Sequence, residues 1–397
     1  MRNDVRRRGV FYVGGYDPKT PGAFFERLDR EARRHEACWG VEVSRGPIDH
    51  VDGVARSTVT ASGTSADGDW RVETDMHFFS LEPIVQRDFA DPLHERVGRY
   101  IATFADYVGT GTMFAFFRTN WRFALYFLYP FVALVLFALA ALLPLFAALA
   151  LGIEGSTLLA SFLFGSLAAV LLTVLLTTVG RRWFVSHLMD LWSFSRNWVR
   201  ERRPDAERLF DRYGRVTAVA IGEENYDEVV MVGHSTGGAL ILEIAYAAVW
   251  TDPEVARRAP RAVLLTVGST ALKIGLHPAA HRFRERVAAL RDAGFDWVEY
   301  QSLVDIINFE GTDPVAEMGL ERERETFGLA QRVRMRDMLE RDTYRRVRRN
   351  PFRVHYQFVF ANTKTYHYDF HSICFGPLAL LERARNAKAV VPHLSGS

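Results

Sequence analysis

Charged residues are missing from two adjacent stretches near the middle of the chain. The first runs from Phe123 to Ile153 and the second from Gly155 to Gly180, with Glu154 alone between them. Each stretch exceeds the roughly 20 helical residues that cross a hydrocarbon core about 30 Å thick. Arginines lie on both outer flanks, at Arg118, Arg122, Arg181 and Arg182. Because positive charge marks the cytoplasmic side, this pattern predicts a two-helix transmembrane hairpin with both chain ends in the cytoplasm.

Elsewhere in the chain, apolar strand patterns alternate with amphipathic helix patterns. Val10–Val13 has the pattern of a buried strand, and a helix is predicted from about Pro21 to a stop at Gly40. The alternating stretches 54–62 and 70–81 predict the two arms of a β-hairpin. Further strands are predicted over 228–233, 261–270, 296–305 and 353–361, with a basic helical stretch over 329–350. This alternation favours an α/β fold in which helices flank a mostly parallel sheet.

The apolar hairpin interrupts the alternation of strands and helices. We therefore expect a single α/β domain in two parts, residues 1–117 and 183–397. Residues 118–182 are then the transmembrane hairpin inserted between them.

Composition removes several classes of function. The net charge of +2 gives no reason to expect a nucleic-acid partner. The two cysteines form neither a disulfide framework nor a zinc cluster, and His277 and His281 lack further ligands, so no metal is expected. No cofactor is expected either, because G-x-G-x-x-G is absent and no Walker lysine follows Gly14–Gly15.

The segment DEVVMVGHSTGGALILEIA, residues 227–245, joins a predicted buried strand to a predicted helix. Gly233, Ser235 and Gly237 within it have the G-x-S-x-G spacing of a nucleophile elbow. At such a turn the serine points out of the carboxyl end of the sheet, towards whatever binds above it. The spacing therefore makes Ser235 the candidate nucleophile.

These motifs resemble those of the α/β-hydrolase superfamily. The resemblance rests on FYVGG before a helix, on GHSTGG at the elbow, and on an acid and a histidine that follow in that order. The start FYVGGYDP is also similar to a group of uncharacterised bacterial membrane hydrolases. The chain departs from the family pattern in two ways. It begins at what the family counts as its third strand, and it carries a membrane hairpin before the nucleophile strand.

The resemblance implies a Ser-His-Asp triad. Asp305, at the end of the strand predicted over 296–305, is favoured as the acid over Asp313, which precedes a proline in a common turn arrangement. His371, in the loop after the last predicted strand, is favoured as the base over His367. His355 is a third choice, because it begins the predicted strand 353–361 and should lie at the wrong end of the sheet.

An acyl-transfer site also needs hydrogen-bond donors for the oxyanion. One is expected from the backbone N–H of Thr236, which follows the nucleophile. The other is expected from the loop after the first strand, at Tyr16, with Gly15 as the second choice.

The resulting hypothesis is a serine hydrolase anchored in a bacterial-type inner membrane, with its catalytic domain in the cytoplasm. It would cleave carboxylic esters of lipids or of other membrane-partitioned acyl compounds through an acyl-enzyme. Because a fold does not fix a function, two further functions stay open. One is a non-catalytic membrane scaffold that keeps the hydrolase fold for partner binding. The other is an acyltransferase or thioesterase on the same fold.

Overall fold

The structure, a computed structural model, describes residues 5–65, 68–150, 157–386 and 390. The chain forms two compact units. One unit combines the chain up to Gln86 with the chain from Val199 onward, and the other is Arg87–Trp198. The helical second unit therefore extends beyond the expected insertion 118–182 on both sides.

The first unit is built on one twisted sheet of nine strands. Its strands are β1 (Arg7–Val13), β2 (Glu42–Arg45), β3 (Asp49–Val51), β4 (Val54–Ser65), β5 (Gly68–Phe79), β6 (Glu228–His234), β7 (Ala262–Val267), β8 (Asp296–Gln301) and β9 (Phe327–Arg332). Their order is β2-β4-β5-β1-β6-β7-β8-β9, with β3 paired to β4. In the order β5-β1-β6-β7-β8-β9 all neighbours are parallel, and β4 pairs antiparallel with β2, β3 and β5 at the other edge. The expected α/β class with a mostly parallel sheet is confirmed.

Helices flank this sheet. Those before the second unit are α1 (Pro21–Trp39) and α2 (Glu82–Ala90), and α2 runs across the boundary at Gln86. Those after the second unit are α8 (Pro204–Glu223), α9 (Gly237–Thr251), α10 (Leu272–Gly275), α11 (His281–Ala293), α12 (Pro314–Glu317), α13 (Met335–Met338), α14 (Arg341–Val347), α15 (Pro351–Tyr356), α16 (Phe370–Phe375) and α17 (Leu380–Arg385). The predicted first helix is confirmed: the Thr20 side chain caps its start and Gly40 ends it with a φ of +65°.

The sheet changes direction of winding between β1 and β6. After β1 the chain builds the strands on one side, and after β6 it builds β7, β8 and β9 on the other. The carboxyl ends of these two neighbouring strands therefore bound a crevice, because their connections leave in opposite directions. In open α/β sheets this switch point is where ligands bind.

The second unit is helical in its described residues. It contains α3 (Leu93–Gly109), α4 (Thr112–Thr119), α5 (Trp121–Ala150) and α6 (Thr157–Leu175), a π-helical turn (Leu176–Gly180), and most of α7 (Val185–Val199). Asp190 on α7 forms an ion pair with Arg96 and accepts a hydrogen bond from Tyr100, both on α3. The buried Trp192 packs edge-on against Phe127 of α5, at 4.8 Å between ring centroids.

Two helices of this unit are long and apolar enough to span a membrane. They are Trp121–Ala147 and Phe162–Gly180, and only 28% and 6% of their most apolar windows are buried within the protein. Large apolar side chains such as Leu143 and Phe162 are exposed along them. These helices correspond to the two spans predicted from the sequence. The expected tip of the hairpin, at Glu154 and Gly155, lies outside the described residues.

Two assignments from the sequence were wrong. The strand predicted over 353–361 is absent, and α15 occupies its first part. The Asn350 side chain accepts hydrogen bonds from the backbone N–H groups of Phe352 and Arg353, and Pro351 begins the helix, so a strong helix start overrides the strand-like alternation. The edge strand of the sheet is instead β9, which takes the first residues of the stretch predicted to be helical.

A buried ion pair ties the two central strands to the C-terminal segment. Arg8 on β1 and Glu228 on β6 are both fully buried, and Arg8 Nε lies 2.8 Å from Glu228 Oε2. The guanidinium also donates to the backbone carbonyls of Gly376 and Leu378, and Glu228 accepts from the N–H of Leu380. Every charged group in this cluster is thus hydrogen-bonded, which is what makes its burial tolerable.

This cluster generates a prediction about stability. Arg8→Met should lower the free energy of unfolding by about 3–5 kcal/mol, because it leaves the Glu228 carboxylate buried without its partner. Arg8→Met combined with Glu228→Gln should be more stable than Arg8→Met alone, since the double variant has no unpaired buried charge. Denaturant unfolding of the purified protein in detergent measures both.

The matched control for this prediction is Arg30→Met. Arg30 is half exposed and lies 3.2 Å from Glu31, so the variant should cost less than about 1 kcal/mol. Equal losses in the free energy of unfolding for Arg8→Met and Arg30→Met would show that the buried pair contributes no more to stability than an exposed one.

Candidate active site

The turn between β6 and α9 holds Ser235 in a strained backbone conformation. Its φ is +61°, in the left-handed region that ordinarily costs a non-glycine residue about 1–2 kcal/mol. The turn is fixed by hydrogen bonds from Ser235 N to the carbonyl of Val267, at 3.2 Å, and from Thr270 N to the carbonyl of Ser235, at 3.0 Å. Such strain persists only where the surroundings determine it, and it is concentrated at functional sites.

Two glycines make this turn possible. A Cβ on Gly233 would lie 2.3 Å from the carbonyl oxygen of Gly237. A Cβ on Gly237 would lie 2.4 Å from the carbonyl oxygens of both Val13 and Gly14. The start of α9 therefore touches β6 on one side and the end of β1 on the other. The two glycines of the G-x-S-x-G spacing thus stand where any side chain would clash with backbone.

The loop after β8 places Asp305 against His355. Asp305 Oδ2 lies 2.7 Å from His355 Nδ1, and both side chains are almost fully buried. The other carboxylate oxygen accepts from the N–H of Ile307, and Asn308 donates to the Asp305 carbonyl. The carboxylate is thus held by its own loop, and it selects the tautomer in which Nδ1 of His355 carries the proton.

The second ring nitrogen of His355 is free to accept a proton. Within the described residues Nε2 is buried and has no hydrogen-bond partner. The ring lies against the backbone that holds Ser235: a Cβ added to Gly268, next to Val267, would lie 3.2 Å from His355 Cε1. The ring of His234, which precedes the serine, lies 4.8 Å from that of His355 between centroids, and its Nε2 donates to the His355 carbonyl. The imidazole is therefore lodged among the immediate neighbours of Ser235.

The structure does not bring His371 to the expected acid. His371 lies on α16, stacked 5.6 Å from His35 and beside Asp369, and α16 packs against β1, β4 and β5. Burial lowers the pKa of His371 to about 3, so the ring is neutral. The sequence favoured His371 because a strand was expected over 353–361. The helix that replaces the strand carries His355 to the carboxyl end of the sheet.

His367 and Asp313 have surroundings of a different kind. His367 has its carbonyl bound by Arg383, and burial lowers the pKa of its ring to about 4. Asp313 caps α12 by accepting from two backbone N–H groups, and it pairs with Arg322 at 2.6 Å. Asp313 is therefore a helix cap.

The expected oxyanion loop reaches the serine. A Cβ on Gly15 would lie 3.4 Å from Ser235 Oγ, so the backbone after β1 passes close to the Ser235 side chain. Tyr16 follows and is buried. Thr236, the other expected donor, is buried at the N-cap of α9, where the helix dipole favours negative charge. The assignment of Tyr16 and Thr236 as oxyanion donors stays a prediction.

One residue of the site was missed from the sequence. Lys273 on α10 is 1% exposed, and its Nζ donates to Thr236 Oγ1 at 2.8 Å. Burial lowers the pKa of this amine well below its usual value. The hydrogen bond holds the Thr236 side chain and so stiffens the elbow beside the nucleophile. A lysine within the apolar run TALKIGL was the only indication in the sequence.

Ser235 thus lies in a strained turn at the switch point of a mostly parallel sheet, and a histidine paired with a buried carboxylate packs against the neighbouring backbone. Comparison with family models, with characterised proteins and with solved structures finds no match to this chain.

The strained turn gives a prediction that does not depend on activity. Ser235→Gly should be more stable than Ser235→Ala by about 1 kcal/mol, because glycine adopts positive φ without the steric cost that alanine keeps. Both variants lose the hydroxyl, so the comparison isolates the backbone. Thermal unfolding in one detergent measures it, and equal stability would mean that the turn relaxes when the hydroxyl is removed.

Proposed function

We propose that the protein is a membrane-anchored serine hydrolase of the α/β-hydrolase type that cleaves carboxylic esters. Ser235 is the nucleophile, His355 is the base and Asp305 orients the base. The observation that carries this proposal is the Asp305–His355 pair. Its imidazole packs against the backbone next to the strained turn that holds Ser235, and its Nε2 has no partner in the described residues. Here His355 takes the role that the sequence assigned to His371.

The chemistry follows from this geometry. His355 Nε2 takes the proton of Ser235 Oγ as the oxygen attacks the ester carbonyl, and Asp305 stabilises the imidazolium that forms. The backbone N–H groups of Thr236 and Tyr16 receive the oxyanion. The imidazolium then protonates the leaving alcohol, which gives an acyl-enzyme. A water molecule, deprotonated by the same imidazole, releases the acid and restores the serine.

Two features support lipid-like acyl substrates. Two helices of the chain are long and apolar enough to span a membrane, and an anchored enzyme encounters membrane-partitioned substrates at high concentration. In addition, the loop after β8 that carries Asp305, called the acid loop below, exposes large aliphatic side chains on both sides of this residue. They are Leu303, Val304 and Ile306, which are 49%, 40% and 37% exposed. Apolar side chains at this edge of the sheet suit an acyl chain.

Triad variants test the proposal. Ser235→Ala, His355→Ala and Asp305→Asn should each lower ester hydrolysis by about 10⁴-fold or more, because triad members act as a unit. Wild type should be labelled by a fluorophosphonate, and Ser235→Ala should not. His371→Gln is the matched control: it replaces a buried histidine outside the site and should keep most of the activity.

Melting curves of all four variants separate lost chemistry from lost folding. A folded His355→Ala enzyme with near-native turnover, together with an inactive His371→Gln enzyme, would return the base to His371. A wild-type protein that is neither labelled nor active would favour a non-catalytic scaffold.

The arginine flanks of the apolar stretches give a prediction of membrane orientation. We propose a bacterial-type inner membrane with both chain ends in the cytoplasm. In a variant without Cys38 and Cys374, a cysteine placed at Gly155 should react with an impermeant thiol reagent in intact spheroplasts. A cysteine placed at Glu26, an exposed position on α1, should react only after permeabilisation. The reverse pattern would place the hydrolase unit outside the cell.

A further inference from the structure

A second polar feature lies next to the proposed catalytic residues and takes no part in the triad chemistry. A cleft opens beyond the Gly14–Gly15 turn, and its walls include Asp17, Lys19, Arg27, His234 and Tyr356. All of these residues belong to the first unit. Of the described residues that line the cleft, Asp17 is the only acid.

Three residues of the cleft wall adjoin the proposed catalytic residues. Gly15 lines the cleft, and a Cβ added to it would lie 3.4 Å from Ser235 Oγ. His234 precedes Ser235, and Tyr356 follows His355. The cleft therefore lies close enough to Ser235 for one substrate molecule to reach both.

Two cations converge on one aromatic ring in this cleft. Lys19 Nζ lies 5.4 Å and Arg27 Cζ lies 5.9 Å from the ring centroid of Tyr356. Asp17 is shared: its Oδ2 lies 3.3 Å from Lys19 Nζ and accepts from the Tyr356 hydroxyl at 3.1 Å. Arg27 forms no ion pair with a carboxylate in the described part of the chain. With the neighbouring His234 neutral, the cleft has a surplus of one positive charge.

The positive charges of Lys19 and Arg27 destabilise each other electrostatically. Burial and the nearby charge of Arg27 lower the pKa of Lys19, while Asp17 raises it. The two cations therefore repel each other in a half-buried space with one carboxylate between them. Cation–π contacts with Tyr356 offset part of that repulsion. An anion bound beside both cations would offset much more, through charge-assisted hydrogen bonds.

The two flanks of Ser235 differ in character. The charged cleft lies at the end of β1, on one side of β6, whereas the apolar residues around Asp305 follow β8, on the other side. An ester bound across Ser235 would meet cations at one end and aliphatic side chains at the other. This polarity matches an amphiphile whose acyl chain lies towards the acid loop and whose alcohol carries negative charge.

We infer that Lys19 and Arg27 bind a phosphate group carried by the alcohol part of the ester substrate, so that the preferred substrate is an anionic acyl lipid. This inference rests on the proposed ester hydrolysis. It adds the specificity of the site: water cleaves the acyl ester at Ser235, and the phosphate remains on the released alcohol.

The test compares two esters that differ only in the phosphate, 1-oleoylglycerol and 1-oleoylglycerol 3-phosphate, in non-ionic detergent micelles. Oleate release by the purified full chain should give a kcat/KM about tenfold or more higher for the phosphate-bearing ester. Arg27→Gln should lower that preference by about tenfold, mainly through a higher KM. Lys19→Gln should lower it in the same direction. Arg33→Gln, an exposed arginine farther along α1, is the matched control and should keep the wild-type preference.

The failures of the two proposals are distinguishable. If Ser235→Ala still cleaves both esters, the proposed function is wrong. If wild type cleaves both esters equally well, and folded Arg27→Gln and Lys19→Gln do the same, the hydrolase proposal stands and the phosphate inference is overturned. Inorganic phosphate should compete weakly with the phosphate ester in wild type and have little effect in Arg27→Gln. Strong inhibition by inorganic phosphate without any preference between the esters would mean that the cleft binds a free anion instead.

Discussion

The close approach of α9 to the ends of β6 and β1 is the constraint on which the site depends. Gly237 has no room for a side chain because the carbonyls of Val13 and Gly14 lie against it. This contact fixes three things together. It forces Ser235 into positive φ, it brings the backbone at Gly15 beside the serine oxygen, and it opens the crevice at the switch point of the sheet. The positions of Ser235 and of the backbone at Gly15 therefore come from a single packing requirement.

Burial of polar groups follows two different rules in the first unit. Arg8 and Glu228 are fully buried, and they form an ion pair with each other and hydrogen bonds with backbone groups. This cluster therefore holds β1, β6 and the C-terminal segment together. Near Ser235, His355 Nε2 is buried without a hydrogen-bond partner in the described residues. Arg27 pairs with no carboxylate there, but its guanidinium lies over the rings of Phe24 and Tyr356. Other buried polar atoms of the first unit, at His371 and Tyr300, also lack partners, so what distinguishes His355 is its pairing with Asp305.

Local features of the chain were predictable, and long-range ones were not. The elbow at Ser235, the cap of α1 and the two apolar helices each depend on a few consecutive residues, and the sequence predicted all of them. The choice of histidine depended on whether 353–361 forms a strand. Alternating apolar residues favoured a strand, but Asn350 and Pro351 start a helix, and a capped helix start outweighs alternation over a few residues. The pairing of His355 with Asp305 joins distant segments, so only the fold reveals it.

The same geometry explains why Lys19 and Arg27 could not be recognised from the sequence. On a linear chain they are two cations among many near the start of α1. In the fold both meet Tyr356, which comes from the segment that also delivers His355. The replacement of the expected strand by α15 therefore has two consequences at once. It pairs His355 with Asp305, and it places the neighbouring Tyr356 against Lys19 and Arg27. Because the proposed base and the proposed phosphate subsite depend on consecutive residues of one short helix, they would be positioned, or lost, together.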